Sequence, residues 1–351
     1  MFDLDSIIRP NIKTLTAYSS ARDEFKGAAS IFLDANENNL GSVLNNYNRY
    51  PDPLQIKLKD AIAELKQINS GNIFLGNGSD ECIDLLYRCF CEPGKDNVII
   101  CPPTYGMYEV SANINAVGIK NIPLTPAFEL NRETILSSID NNTKLIWICS
   151  PNNPTGNLAN RKTVLSILDS FNGLVVIDEA YVDFSQSSSF VNDLTSHPNL
   201  VVLQTFSKAW GLAGLRLGMA FASTEIIDIL NKVKPPYNIN QVTQEMLRKA
   251  LQHGNEVKKK ISIIVTERKK LSDVLSALSF VQKVYPSEAN FLLVKTNNAT
   301  LLYQYLLQNG IVVRDRSKVT LCEGCLRISI GTPEENRKLV NVLNQFTKAN
   351  S

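Results

Sequence analysis

The chain has 351 residues, with Lys+Arg 36 against Asp+Glu 34 and a net charge of +2. That length suffices for one large domain plus a smaller one. The even charge balance gives no reason to expect nucleic acid or an anionic membrane surface as a partner. Seven cysteines are an odd number, which argues against a disulfide framework, and only two histidines, His197 and His253, speak against Ser-His-Asp hydrolysis or a multi-histidine metal site. The apolar runs Leu174-Val-Val-Ile177 and Phe291-Leu-Leu-Val294 are strand-length, far short of the ~20 residues that span a bilayer. Met1-Phe-Asp-Leu-Asp-Ser lacks a basic region followed by an apolar core, so no signal peptide is expected and the cytoplasm is the expected location.

In chain order, residues 54–67 predict an amphipathic helix, with Leu54, Leu58, Ala61, Ile62 and Leu65 at helical spacing. A second helix is expected over 80–91, capped by the Gly78-Ser79 turn. Strands are expected at 97–101, 144–149, 174–178, 200–205 and 218–222, each almost continuously apolar, as buried parallel strands are. The charged stretch 244–278 reads as one helix leading to a C-terminal unit. That unit has strands at 289–295 and 326–330 and helices at 299–309 and 333–345. Helices alternating with strands and short turns indicate a parallel sheet covered by helices.

Several segments lie at strand ends, where open α/β sheets bind ligands. Leu75-Gly-Asn-Gly-Ser-Asp-Glu81 is a turn whose Ser79, Asp80 and backbone N–H groups would offer a phosphate the positive end of a helix. Cys149-Ser-Pro-Asn-Asn-Pro-Thr-Gly156 is a rigid loop whose Asn153 amide can donate to an oxygen, although Asn-Pro pairs often mark only a turn. Val176-Ile-Asp-Glu-Ala-Tyr181 ends an apolar strand in Asp178, a costly place for an unpaired carboxylate. It could pair with a protonated ring nitrogen, cap a helix, or bind a metal. No G-x-x-x-x-G-K-[ST] loop accompanies it, which excludes a P-loop nucleotide hydrolase. In Phe206-Ser-Lys208 through Arg216, a lysine follows a strand beside a hydroxyl and a guanidinium, the set that a nucleophilic amine next to a phosphate requires. Cys322-Glu-Gly-Cys325 has redox or zinc-like spacing but no second Cys/His pair, so it reads as two loop thiols beside a strand.

Taken together, Asn152-Asn-Pro-Thr-Gly156, Asp178-Glu-Ala-Tyr181, Ser207-Lys208 and Gly214-Leu-Arg-Leu-Gly218 resemble the fold-type I pyridoxal-phosphate aminotransferases. The chain is more narrowly similar to the histidinol-phosphate aminotransferases. This rests on Arg9-Pro-Asn-Ile, Tyr18-Ser-Ser-Ala-Arg22, Leu33-Asp-Ala-Asn-Glu-Asn38, Arg49-Tyr-Pro-Asp52, Phe90-Cys-Glu-Pro-Gly-Lys95, Cys101-Pro-Pro-Thr-Tyr-Gly-Met-Tyr108, Val313-Arg-Asp315 and Cys325-Leu-Arg-Ile-Ser329. Asn77 departs from the pattern, since relatives often carry a basic residue there.

The resemblance implies an α/β fold of type I. Residues 1–27 would form an N-terminal arm, 28–250 a large domain with a mostly parallel central sheet, and 251–351 a smaller C-terminal α/β domain. It implies that Lys208 forms a Schiff base with pyridoxal 5'-phosphate and later shuttles the substrate's proton. Asp178 would pair with the pyridine nitrogen, and Tyr181 and Asn153 would donate to the phenolate oxygen. Tyr105 would stack on the ring while Ser79, Asp80, Ser207 and Arg216 surround the phosphate. Arg327 would take an α-carboxylate as a bidentate fork, and Tyr18 and Arg314 would meet a substrate phosphate. Tyr50 would reach the cofactor phosphate of a partner subunit, which implies a homodimer.

The implied reaction exchanges an amino group between L-histidinol phosphate and 2-oxoglutarate, giving imidazole-acetol phosphate and L-glutamate, with histidine biosynthesis running in reverse. Neither a metal nor a nucleic-acid or membrane partner is expected. Two alternatives remain at this point, decarboxylation of a phosphorylated amino acid and transamination of aromatic amino acids. A third, a non-catalytic cofactor-binding regulator, would need an effector module such as a helix-turn-helix, for which the residues before the first expected strand are too few.

Overall fold

The computed structural model of the chain describes residues 2–19, 27, 29–44 and 47–349. Ser20, Ala21 and Arg22 of the Tyr18 motif lie outside them. A seven-stranded sheet is built from β1 (Ile73–Asn77), β2 (Asn97–Ile100), β3 (Gly118–Asn121), β4 (Thr143–Cys149), β5 (Leu174–Asp178), β6 (Leu200–Thr205) and β7 (Leu217–Phe221). Its spatial order is β1-β7-β6-β5-β4-β2-β3. β7 runs antiparallel to both its neighbours, β1 and β6, whereas the β6–β5–β4–β2–β3 pairs are parallel. Every residue of β5, β6 and β7 is buried, which explains why these strands read as unbroken apolar runs.

Helices α1 (Pro10–Thr14), α2 (Ile56–Lys66), α3 (Ser79–Phe90), α4 (Met107–Ile114), α5 (Arg132–Ser137), α6 (Arg161–Ser170) and α7 (Thr224–Val233) belong to the same part of the chain. They help enclose two cores. One gathers Leu75, Ile146, Ile177, Val202 and Met219, and the other Phe74, Leu86, Trp147, Val176 and Leu203. Adjacent strand residues thus point into opposite cores, as the two-residue period of a strand requires.

The stretch 244–278, expected as one helix, is two: α8 (Gln241–Leu251) and α9 (Gly254–Ser276). The chain tightens at Gln252 and His253, whose N–H groups bond to the carbonyls of Lys249 and Ala250. The break has a packing cause. Leu247 and Leu251 of α8 pack in the first main-sheet core, but Leu271 and Leu275 of α9 belong to a third core. One straight helix has no reason to serve both.

That third core lies between α9, α10 (Ala299–Gln308), α11 (Pro333–Ala349) and a second sheet. The second sheet is wholly antiparallel, in the order β10 (Arg314–Asp315), β11 (Cys325–Ser329), β9 (Phe291–Thr296), β8 (Val281–Val284). A small cluster of Tyr181, Phe184, Ala209, Ala289 and Phe291 joins the two units beside the sheet ends. Cys322 and Cys325 are buried free thiols. No helix among the described residues is long and apolar enough to cross a membrane.

Candidate active site

The parallel strands of the large sheet end at a common edge, and the loops leaving them line a cleft of about 890 Å³. Asp178 closes β5, Cys149 closes β4, and Ser207 and Lys208 follow β6. β1 turns through Gly78 into α3, while Arg216 precedes the reversed strand β7 and so arrives at the same edge. The second sheet completes the cleft with Arg314 and Arg327, and the turn that follows Asp315 adds Arg316 and Lys318.

The β1–α3 turn is held against the start of β7 at very close range. Gly78 N–H donates to the Arg216 carbonyl at 2.8 Å. A Cβ on Gly218 would lie 2.1 Å from the Ser79 nitrogen, and one on Gly78, whose φ is +77°, would lie 2.5 Å from Arg216 Nη2. Only glycine permits this approach at both positions. It brings the N-terminus of α3, the Arg216 guanidinium and Ser207 to one cleft, and a helix N-terminus with a guanidinium and hydroxyls suits an anion. Asp80 braces the corner: it accepts from the Tyr105 hydroxyl at 3.0 Å and sits 3.4 Å from Arg216 Nη2.

Asp178 lies at the bottom of the cleft, 3% exposed. Its Oδ2 accepts from the Tyr108 hydroxyl at 2.7 Å and its Oδ1 from the Ala180 N–H at 3.0 Å. Both of these donors are neutral, and burial pushes its carboxyl above the usual range, against the pull of the two hydrogen bonds. A cation placed beside it would be strongly favoured. Lys208 opens to the cleft with its Nζ 5.8 Å from the centre of the Tyr181 ring. Desolvation in the cleft holds its amine below the ordinary lysine value, and the Arg327 guanidinium adds to the effect. Such an amine spends more time unprotonated, the form that attacks a carbonyl carbon.

Arg314 and Arg327 face each other directly across the β10–β11 ladder. Like charges in that position repel, and among the described residues neither meets a carboxylate within ion-pair distance, nor does Arg316. Arg327 instead donates to the Asn153 side-chain oxygen, which leaves the Asn153 NH₂ as a donor towards the cleft. Among the described residues the buried Nε of Arg316 has no hydrogen-bond partner, and burial together with Arg327 and Arg314 disfavours its charge. The cationic wall is therefore built for an anion that comes from outside.

Of the residues expected from sequence, Ser79, Asp80, Tyr105, Asn153, Asp178, Tyr181, Ser207, Lys208, Arg216, Arg314 and Arg327 all line this cleft. Tyr18 and Tyr50 do not. Tyr18 is 74% exposed, and Tyr50 is 51% exposed and stacked on Tyr237 with ring centroids 4.4 Å apart. Sequence reasoning missed Arg316, which the two-residue period of a strand would have placed beside Arg314, and it gave Tyr108 no role. No group of three or more potential metal ligands occurs among the described residues.

Residues 31–343 match the family described as aminotransferase class I and II. A histidinol-phosphate aminotransferase of Cytophaga hutchinsonii is 54% identical over 346 residues, covering 98% of this chain and 99% of the relative. Among solved structures, the histidinol-phosphate aminotransferase of Clostridium acetobutylicum matches with a TM-score of 0.80 at 27% identity, covering 87% of this chain and 92% of that one. The Sinorhizobium meliloti enzyme of the same name, solved with pyridoxal-5'-phosphate, shares the fold at a TM-score of 0.80 and 22% identity, covering 90% of each chain. With a cleft of this composition and relatives of this similarity along its whole length, the chain belongs to the histidinol-phosphate aminotransferases, within the class I and II aminotransferases.

Proposed function

We propose that the chain, with pyridoxal 5'-phosphate in its cleft, transfers an amino group between L-glutamate/2-oxoglutarate and imidazole-acetol phosphate/L-histidinol phosphate, in histidine biosynthesis. One observation carries this reading. A deprotonation-prone lysine, a buried carboxylate with neutral donors, and arginines with no carboxylate partner among the described residues share one cleft. The cofactor, when bound, supplies a protonated ring that withdraws electrons and so weakens the Cα–H bond of an attached amino donor.

The residues divide the remaining work. Lys208 would hold the cofactor through its amine and would carry the proton between substrate Cα and the cofactor's C4′ carbon. Asp178 would keep the ring nitrogen protonated, because the hydrogen bonds it accepts from Tyr108 and Ala180 favour its charged form against the pull of burial. Tyr181 and Asn153 donate to the phenolate oxygen, and Asn153 is oriented for this by its bond to Arg327. Tyr105 covers the ring, its hydroxyl tied to Asp80. Ser79, Ser207 and Arg216 hold the phosphate, with Asp80 fixing Arg216 in place.

At the other end of the cleft, Arg327 takes the α-carboxylate of glutamate. Arg314 and Arg316 take the phosphate of the imidazole substrate, and Tyr18, which lies outside the cleft of the single chain, would join them by movement of its segment or from a second copy. Tyr50 serves the cofactor phosphate of a second copy. Support for a homodimer comes from the apolar side chains that the segment around Tyr50 leaves in water: Ile31, Leu33, Leu40, Val43 and Leu44 are all exposed. We assign the protein to the cytoplasm, and divide it into an arm of residues 1–27, a large domain of 28–250 and a small domain of 251–351.

The direct test is a half-reaction. Cofactor-loaded protein mixed with L-histidinol phosphate or L-glutamate should convert the absorption of bound pyridoxal phosphate to that of pyridoxamine phosphate. Phosphorylated donor left unchanged, or carbon dioxide released from a phosphorylated amino acid, would refute the reading.

A further inference from the structure

Tyr108 stands behind the cleft on α4 and is fully buried. Its ring stacks on Trp147 with centroids 4.7 Å apart and 13° between planes, and Trp147 packs in turn on Tyr87 at 5.4 Å. Tyr87 locks the arrangement by donating from its hydroxyl to the Tyr108 carbonyl at 2.7 Å. On the cleft side, Tyr105 meets the Tyr108 ring edge-on at 5.6 Å. Ring and backbone are thus both held, so the Tyr108 hydroxyl is aimed rather than free to turn. It is aimed at Asp178 Oδ2, 2.7 Å away.

The consequence concerns where a proton sits. A carboxylate buried against a pyridine nitrogen can share its proton in two ways: an ion pair with the proton on nitrogen, or a neutral pair with the proton on the carboxyl. Burial favours the neutral pair, whereas each hydrogen bond donated to the carboxylate favours the ion pair. Asp178 receives one such bond from the Ala180 backbone and one from a side chain, Tyr108. Only the second can vary without altering the backbone.

We infer that Tyr108 is a positioning residue for amino transfer, fixing the Asp178 carboxylate and keeping the shared proton on the cofactor's ring nitrogen. This rests on the reading in which Asp178 faces that nitrogen. Burial also raises the phenol's own pKa, so Tyr108 stays a donor throughout the range in which the enzyme works.

Tyr108→Phe keeps the ring, the stack on Trp147 and the edge contact with Tyr105, and deletes only the donor. The holoenzyme variant should lose about tenfold in the single-turnover rate with L-glutamate, the scale of one hydrogen bond to a charged group, while KM stays within about twofold. Bound pyridoxal phosphate labelled with ¹⁵N in its ring should shift towards the signal of the neutral nitrogen. In an Asp178→Asn background, which has no charge to tune, the same substitution should change neither the rate nor the ¹⁵N signal. Site-specific 3-fluorotyrosine at position 108, an isosteric and stronger donor, should move the ¹⁵N signal the opposite way and covers the case in which the phenylalanine variant folds poorly.

An unchanged nitrogen signal in both Tyr108 variants, or an equal rate loss with and without Asp178, would overturn the role of Tyr108 alone. A full rate in Asp178→Asn itself would instead overturn the reading of Asp178 on which the inference stands. These two failures are read from different proteins.

Discussion

Removing Arg314 and Arg327 one at a time should damage different substrates. The two guanidinium groups lie opposite each other across β10 and β11, but their surroundings differ. Arg314 is exposed, so a phosphate bound there stays partly hydrated. Its truncation to alanine should cost near 2 kcal/mol, about 30-fold, within the range for hydrogen bonds to charged groups. Arg327 is half-buried and bonded to Asn153. Its loss removes a cation and also strands an amide oxygen in the cleft, so the cost should reach the 2–5 kcal/mol typical of breaking a buried charged pair. In single-turnover measurements of kcat/KM, Arg314→Ala should weaken L-histidinol phosphate about 30-fold and leave phenylalanine, which carries no phosphate, within about twofold. Arg327→Ala should harm histidinol phosphate, glutamate and phenylalanine alike. Equal losses for histidinol phosphate and phenylalanine in Arg314→Ala would mean that the phosphate binds elsewhere.

Lys208→Ala should abolish turnover and the covalent cofactor band yet leave the thermal midpoint of the apoprotein unchanged; retained turnover would displace this lysine from the chemistry. Gly218→Ala should impair both stability and cofactor binding, because the new methyl would lie 2.1 Å from the Ser79 nitrogen, where neighbouring backbone must move. A wild-type dissociation constant for pyridoxal phosphate would refute that. Val43→Asp, on the exposed apolar segment, should shift the protein towards monomer in light scattering and lower activity with it; an unchanged mass would exclude this face from the interface. Lys59→Met should stabilise the fold near neutral pH, since burial, with Lys234 beside it, lowers the Lys59 pKa from 10.5 to about 8. The unfolded chain binds that proton more tightly than the folded one, so the penalty is complete below about pH 8, fades as pH rises from about 8 to 10.5, and is gone above 10.5. Urea midpoints should therefore differ at pH 7, by about 3 kcal/mol in stability at most, and converge above pH 10.5; equal midpoints at pH 7 would refute the argument.

Much of this molecule was legible from sequence because its strands are buried on both faces. The runs at 174–178 and 200–205 leave no alternative to a central parallel strand, and residues at their ends reach the cleft by topology alone. What was missed had weak local signals. β1 contains Gly76 and Asn77, so its end read as a turn, yet its burial comes from pairing with β7, where Leu75 meets Met219, 144 positions away. β3 is an edge strand of Gly-Ile-Lys-Asn with no fully buried residue, and β10 is two residues long. The break between α8 and α9 depends on which core each helix meets, which is a property of the assembled fold. Tyr108 was hidden for a different reason. A buried aromatic near a strand end has the same sequence signature whether its hydroxyl is idle or tied to Asp178.

The arrangement of charge explains why one cleft can serve two unlike substrates. Transamination requires the same cofactor position to receive first an amino acid with an α-carboxylate and then a phosphate ester without one. A cation satisfied within the protein would have to break that pair each time an anion arrived. Here Arg327 is tied to a neutral amide, and Arg314 and Arg316 have no acidic partner among the described residues. Burial and the neighbouring guanidinium groups disfavour the charges of Arg316 and Arg327, so an anion entering the cleft relieves a cost that folding has already imposed. An internal carboxylate would have made the folded protein more stable and the site less responsive. The link from Arg327 to Asn153 adds a further step, because on the proposed reading it couples the cationic wall to the amide that would face the cofactor's phenolate oxygen. An anion drawing Arg327 towards itself would thereby also alter the donor at that oxygen, which joins substrate recognition to the chemistry through one hydrogen bond.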